Sequence, residues 1–567
     1  MSDTPESHIR YLGGESGHRG FFGGTASKTR MILLTVFIAG GMAGMVSGLG
    51  LPALIVAVTG VGITMLTTAR THRGTVLERR RKRARARARK RLGTDEFVPY
   101  EVGAWDQLQE AILRGTKDEK QAAERAAVKM RANPDGADGM GWLQYASNMP
   151  GIAWHAPIGE QPYLSVAFSV SGQLRGMETA AALTRAANAW GKFLARRAAP
   201  SSLIRNVQTL TRVLPPDSAR QQQWVKTRLE PVQEDWTTEQ RASFEAQKLS
   251  YDEVIRKSSA NAMVQRHYVV VSWPLTQQFT DAAGKYGPGR DAWRALMAGQ
   301  IQATELGLNE ARMGDVQALT AKQTTALMLH QQNPHLPIDL TRNVDPLLSG
   351  IASRDEFSAH IVDGVDPTSL VMTETGPAAP PVTWWHRTAA IHGENLAVAG
   401  RSPLWSLDLL IGRELTFVRS VSFHLHLVPA GQAKAKARAD VVRDLAGVLA
   451  DQQKGRLISD DSTTRMSAAQ RRSADLAAGS HHHGVDWIGF VTISAPTRAD
   501  LGHASRQLEE ACATGLGIEH LDWQDSFQSA ASGTTWPLGR GLRPAGATLA
   551  TRAINRLAGR TDKEAIS

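Results

Sequence analysis

The sequence predicts an α+β protein in which an N-terminal two-helix transmembrane hairpin is followed by a cytoplasmic, multi-lobed body. Three observations predict it. Between Arg30 and Arg70 there are 39 residues without a charged side chain. A dense basic run, Arg79–Arg91, follows that stretch closely. Beyond Gly93 strand-like alternation and helix-like spacing take turns, the pattern of helices packed on a partly antiparallel sheet. At 567 residues the chain exceeds the roughly 250–300 at which a single core stops growing. It is therefore divided as a cytoplasmic tail (1–30), the hairpin (31–69), a juxtamembrane polybasic segment (70–93), a first α+β lobe (94–330), an irregular inserted connection (331–400), a second α+β lobe (401–545) and a C-terminal tail (546–567).

About 20 apolar residues cross a bilayer as a helix, so 39 uncharged residues suffice for two short crossings. Ser47-Gly48-Leu49-Gly50-Leu51-Pro52 concentrates turn formers, and Pro52 suits a first helical turn. Helices are expected over Met31–Val46 and Pro52–Thr68. A secretory signal peptide is the competing reading, but its apolar core would be shorter and end at a cleavage site. Arg10, Arg19, Lys28 and Arg30 precede the hairpin, and Arg70, Arg73 and the basic run follow it. Basic flanks stay on the cytoplasmic side, so both ends are expected inside a multi-pass protein of the cell membrane. Gly40, Gly41, Ala43, Gly44 and Gly48 would let two helices, or a partner helix, approach closely.

The run reads RRRKRARARARKR: Arg79, Arg80, Arg81, Lys82, Arg83, Arg85, Arg87, Arg89, Lys90 and Arg91 supply +10 of the formal +11. The rest of the chain is almost neutral, so the high pI describes one segment and not a basic binding face elsewhere. Close behind a membrane helix, each of these residues is worth about 1 kcal/mol of attraction to anionic lipid, and lipid contact is the first reading. Nucleic acid is the second. Alternating Arg-Ala spreads charge around a helix, and no interleaved aromatic residue offers base stacking. A solvated topogenic anchor is the plainest alternative.

In the first lobe Tyr163–Val170 alternates like a half-buried strand, Glu178–Arg197 carries Leu183, Trp190, Phe193 and Leu194 at helical spacing, and Leu203–Leu214 and His267–Trp273 read as further strands. A long helix is expected from Asp291 to His330. The connection is poorer in pattern and richer in proline, as in Pro377-Ala378-Ala379-Pro380-Pro381. In the second lobe Leu415–Val428 and Asp486–Ile493 are expected strands, with an alanine-rich helical hairpin between them over Gln432–Ala478. Thr497 then caps a helix whose face holds Leu501, Ala504, Leu508 and Cys512. The lone cysteine excludes an internal disulfide framework and suits a reducing compartment, and its place on that face makes it a core residue.

A phosphate loop needs GxxxxGK[ST]. Gly191-Lys192 and Gly284-Lys285 are followed by Phe193 and Tyr286 and lack the earlier glycine. The sequence has no HExxH, GxSxG or CxxC. His481-His482-His483 reads as a solvated loop run, and His424 and His426 as a satisfied cross-strand pair. No catalytic, cofactor or metal site is expected, and the protein is not expected to be an enzyme.

Gly412-Arg413-Glu414-Leu415-Thr416-Phe417, the strand ending Val428-Pro429, Gly479-Ser480-His481, the unit around Val491-Thr492-Ile493, Gln524, Phe527 and Trp536-Pro537-Leu538-Gly539-Arg540-Gly541 carry a resemblance. In this order they resemble the N-terminal, non-motor domain of type IV secretion and conjugation ATPases. Tyr11–Leu66 is similar in layout to the small two-helix inner-membrane subunit of those systems. The alanine- and arginine-rich style is similar to that of conjugative elements of high-GC Gram-positive bacteria. In the ATPases a Pro-Leu-Gly segment precedes the motor, whereas this chain reaches Ser567 soon afterwards, so no motor is expected to follow. The resemblance implies a scaffold of a conjugative DNA transfer apparatus, oligomeric, whose partners are inner-membrane channel subunits and a separate transfer ATPase. A membrane-tethered nucleic-acid binder using Arg79–Arg91 is the alternative, and an enzyme whose site assembles only in three dimensions is a third.

Overall fold

The computed structural model describes residues 10–12, 24–48, 50–68, 70–71, 74–131, 133–157, 161–172, 179–216, 236–259, 262–336, 338, 344–347, 352–364, 382–396, 399–401, 405–411, 415–453, 470, 473–476, 483–518 and 520–541. Pro377–Pro381, Gly412–Glu414, Gly479–His482, most of the expected second arm of the 432–478 hairpin and the tail from 546 lie outside the described residues.

Helices α1 (Gly24–Val46) and α2 (Gly50–Thr68) pack against each other as a helical hairpin around a turn at Ser47 and Gly48. The expected starts at Met31 and Pro52 are each exceeded toward the N-terminus. Of the glycines expected to line the contact, Gly41 and Gly44 do. An added side-chain carbon would collide with Ala57 Cβ at Gly41 and stand 2.7 Å from Ala53 Cβ at Gly44, whereas at Gly40 and Gly48 it would meet nothing. The outward faces carry Val36, Met42, Leu54, Val58 and Leu66, all exposed. Thr59, Thr64 and Thr67 donate back to the carbonyls of Ile55, Gly60 and Ile63, which satisfies their hydroxyls within the helix. Among the described residues one helix, over Gly50–Thr67, is long and apolar enough to cross a membrane; the apolar part of α1, Ile32–Val46, is shorter.

Helix α3 (Val76–Leu92) leads into the body. There β1 (Glu96–Pro99), α4 (Val102–Arg114), α5 (Lys117–Lys129), β2 (Met130–Arg131), β3 (Met140–Gln144), β4 (Ile152–His155), β5 (Tyr163–Val170), α6 (Ala180–Arg197) and β6 (Asn206–Leu214) come first. They are followed by α7 (Thr238–Ser259), β7 (Val264–Pro274), α8 (Gln277–Gly284), α9 (Gly289–Glu310), β8 (Val316–Ala318) and α10 (Ala321–Gln332). The chain continues through β9 (Ser353–Glu356), β10 (Ala359–Gly364), β11 (Val382–His392), β12 (Val418–Val428), α11 (Ala430–Gln453), β13 (Gly484–Ala495), α12 (Arg498–Thr514), β14 (Asp522–Trp523) and α13 (Gln528–Ser532). The mixed α+β class is as expected. The fourteen strands form one sheet in the order β2-β1-β9-β10-β11-β13-β12-β6-β7-β5-β4-β3, with β8 on β5 and β14 on β11. Every pairing is antiparallel except β1 with β2.

Three expectations are corrected here. The two lobes share this sheet, joined along β6 and β12, where Val421 faces Thr211 and His424 faces Gln208. The stretch 331–400 is not an irregular connection, because β9, β10 and β11 fill the interior of the sheet. Its prolines and sparse pattern flank those strands and conceal them. The helix over 291–330 is broken between α9 and α10: Arg312 and Gly314 adopt positive φ (59° and 76°), and β8 pairs with β5 before the chain turns helical again. A residue with positive φ cannot continue a right-handed helix.

The two sides of the sheet differ. One is apolar: Val166, Phe168, Val207, Val269 and Val271 pack with Phe193 of α6, Phe279 of α8 and Met297 of α9, and farther along Ile391, Val491 and Ile493 pack with Leu501, Leu508 and Cys512 of α12. Thr497 caps α12 as expected, accepting from the Asp500 amide at 3.1 Å. The other side buries Gln208, Arg212, Ser420, Ser422, His424, Thr388 and Thr492 beneath α10, α13 and residues 533–541. There Gln208 donates to Ser422 Oγ (2.9 Å) and the Trp536 carbonyl (2.9 Å), and its oxygen accepts from Gly539 N (2.8 Å). The Thr388, Thr492 and Thr535 hydroxyls form a chain with 2.8 Å steps. Such bonds offset the cost of burying polar groups. The Trp536–Gly541 segment is thereby part of the body, with Trp536 and Leu538 fully buried and Arg540 on Asp138 at 2.6 Å.

Candidate ion-paired site on the polybasic helix

All ten basic residues of the run lie on α3. Arginine, alanine, lysine and leucine favour helix. Like charges at i,i+4 oppose it, so the helix needs support from outside itself. It ends in a glycine stop: Gly93 has φ +68°, its amide bonds the Lys90 carbonyl, and the Thr94 amide bonds the Arg89 carbonyl (3.1 Å), a Schellman closure.

Arg79, Lys82, Ala86 and Arg89 recur at 3-4-3 spacing and are the partly buried face. Arg80, Arg81, Arg83, Arg85, Arg87, Lys90 and Arg91 are exposed. Lys82 Nζ lies 3.0 Å from Asp522 Oδ1 and 2.6 Å from the Trp523 carbonyl, reaching β14. Arg89 Nη2 lies 2.6 Å from Asp135 Oδ2, 3.1 Å from Asp355 Oδ2 and 2.7 Å from the Thr94 carbonyl, and its guanidinium sits over the Phe527 ring at 5.2 Å. Ser529 completes the knot: its amide donates to Asp355 Oδ1 (2.9 Å), and its hydroxyl lies 3.0 Å from Asp135 and 2.9 Å from Asp355. Arg131 adds a second cation on Asp135 at 2.5 Å. A single arginine thus joins α3 to the loop before β3, to β9 and to α13.

Burial pushes the Asp135 carboxyl up, but the charges of Arg131 and Arg89, with hydrogen bonds from Arg89 and Ser529, outweigh it and leave it below its ordinary value. Burial likewise opposes ionisation of Asp522, but the His392 hydrogen bond and the Lys82 charge hold it well below the carboxylate range. Arg89 itself loses by burial and gains more from Asp135 and Asp355, so its proton is held more tightly than usual.

The run expected at the lipid surface is thus divided by the fold: Lys82 and Arg89 are taken up by the protein, and Arg79 and Arg83 border a cleft with α12. The acids that receive them, Asp135, Asp355 and Asp522, were not singled out from sequence. They come from three distant segments, and an isolated aspartate has no local signature. His424 and His426 do not pair with each other. His424 Nε2 bonds the Thr534 carbonyl (2.8 Å), and burial lowers its pKa to about 4; His426 meets Asn206 across the strand at 2.8 Å. His483 borders β13, and His481 and His482 lie outside the described residues. Among the described residues no three His, Cys, Asp or Glu side chains group as metal ligands would. Compared with protein-family models and with curated proteins, the chain matches none.

Proposed function

We propose that this protein is a membrane-anchored, non-enzymatic scaffold of a type IV secretion-like conjugative DNA transfer apparatus, holding a separate motor ATPase at the membrane. One observation carries the anchoring: an apolar helical hairpin with exposed outward faces runs into a helix that is ion-paired to the body at Lys82 and Arg89. An apolar surface of that extent is costly in water and at home in lipid. In this reading α1 and α2 both cross the bilayer of the cell membrane. At about 1.5 Å per residue the span of α2 covers some 27 Å. The shorter apolar part of α1 is accommodated by Lys28 and Arg30 at its cytoplasmic end and by local thinning. The basic flanks place both termini in the cytoplasm.

The conjugative setting rests on the resemblance of residues 412–541 to the non-motor domain of the transfer ATPases. It assigns nucleotide hydrolysis to a separate chain and gives this one a partner-binding task, toward channel subunits, the motor ATPase or both, in an oligomer. Large surfaces of mixed polarity carry such contacts. The seven exposed cations of α3 face anionic headgroups, and they are also what favours the second reading, a membrane-tethered nucleic-acid binder.

Reporter fusions after Gly20 and at Ser567 should both report a cytoplasmic location; an external signal from either contradicts the hairpin. The complex purified in mild detergent from cells expressing the neighbouring transfer genes should contain channel subunits or the transfer ATPase, and the isolated protein should turn over no ATP. Recovery of the protein alone, or robust turnover, contradicts the scaffold. DNA binding stronger than binding to anionic vesicles, and falling steeply with salt, would favour the second reading.

A further inference from the structure

We propose that the cleft between α3 and α12 binds the phosphate group of an anionic lipid headgroup. This names the ligand for the lipid-facing reading of α3 and rests on that reading. The cleft holds about 400 Å³, within the size range of ligand pockets. Arg79, Lys82 and Arg83 of α3, Arg387 of β11 and Arg506 of α12 line it, with His520.

Two of its three carboxylates are already paired: Asp522 holds Lys82 at 3.0 Å and Asp525 holds Arg387 at 3.2 Å. Glu509 accepts from the neutral Trp523 indole at 2.5 Å and keeps its charge, so five cations face three carboxylates across the cleft. Once those pairs are set aside, Arg79, Arg83 and Arg506 face the same space with no ion pair among the described residues. Guanidinium groups converging on one cleft repel until an anion joins them, and arginine's planar fork matches phosphate oxygens. Part of the wall is fixed in advance: Arg387 lies 4.0 Å over the Trp523 ring while Asp525 holds its nitrogens. Arg79 and Arg83 occupy the half of α3 nearest α2, where a bilayer surface would stand. Arg506 comes from a segment more than 400 residues away in sequence, so the site is a property of the fold and not of the basic run alone.

The test uses the full chain in phosphatidylcholine vesicles with and without phosphatidic acid, reading the phosphatidic acid that stays bound through detergent extraction and purification. Arg506→Gln should cut retention about tenfold, the value of one charge-assisted hydrogen bond set. Arg506→Lys, which keeps the charge and loses the fork, should fall between. Arg85→Gln removes the same charge from the exposed face; it weakens diffuse vesicle attraction, which retention through detergent extraction does not read, and should change that retention less than about twofold. Equal losses in Arg506→Gln and Arg85→Gln overturn the site and leave diffuse lipid attraction intact. Wild-type protein that ignores phosphatidic acid altogether overturns the lipid reading and the site with it. In lipid-free detergent, inorganic phosphate should raise the melting temperature little. A rise as large as that given by phosphatidic acid, and lost in Arg506→Gln, would assign the cleft to free phosphate and overturn the lipid source.

Discussion

On one side of α3, Lys82 and Arg89 reach carboxylates of the body; on the other, Arg80, Arg81, Arg85, Arg87, Lys90 and Arg91 are exposed to solvent. The residue types are the same and the helix is continuous, so composition does not distinguish the sides. Position does: 3-4-3 spacing brings residues 79, 82, 86 and 89 onto one face, and that face meets Asp522, Asp135 and Asp355. A polybasic run is thus two devices, a latch inward and a charged surface outward, and each can be broken without the other.

The inward side should give the largest effect. Arg89→Met leaves Asp135 and Asp355 in a partly buried site without their shared cation, and removing one partner of such a cluster costs about 3–5 kcal/mol. The melting temperature of the detergent-solubilised protein should fall accordingly. The pH dependence has a definite sign. Asp135 has a folded-state pKa below its unfolded value, so its contribution is fully present above the unfolded value and is lost as pH falls through the folded one. Wild-type stability should therefore decline on acidification below about pH 4, and that decline should be shallower in Arg89→Met. An Arg89→Met protein as stable as wild type would dissolve the distinction between the two sides.

Next comes the outward side. Replacing Arg81, Arg85 and Arg87 by glutamine should weaken binding to anionic vesicles by about 1 kcal/mol each while shifting stability by no more than about 0.5 kcal/mol. If DNA binding falls and vesicle binding does not, the outward face belongs to nucleic acid. The smallest effect is expected at Lys82→Gln. Lys82 and Asp522 are each about a third exposed (28% and 36%), so solvent screening limits the loss to under about 1 kcal/mol.

How much of this could be read in the sequence depends on how local each signal is. Tyr163–Val170 forms a strand over the expected bounds, and Thr497 caps its helix, because alternation and capping are written within a few residues. The single sheet was hidden: pairing of Val421 with Thr211 is a relation between segments two hundred residues apart. The polar side of the sheet was misleading in another way. Ser420, Ser422, His424 and His426 alternate as an exposed strand face would, yet the first three are buried, His424 bonding the Thr534 carbonyl, and only His426 is open. A polar alternation reads the same whether water or a buried hydrogen-bond network satisfies it. The basic run was plain as composition, and its division into latch and surface was not, since the acids that divide it come from Asp135, Asp355 and Asp522.

In the proposed anchoring the hairpin holds the body in a membrane and the basic helix does not do so alone. Extraction of membranes from cells expressing the full chain tests it most directly, comparing washes in high salt, alkaline carbonate and mild detergent for wild type and for the triple glutamine variant at Arg81, Arg85 and Arg87. Both proteins should stay in the membrane through salt and carbonate and leave only with detergent. Release of the wild type by salt or carbonate would mean that α1 and α2 do not span the bilayer, and would contradict the account.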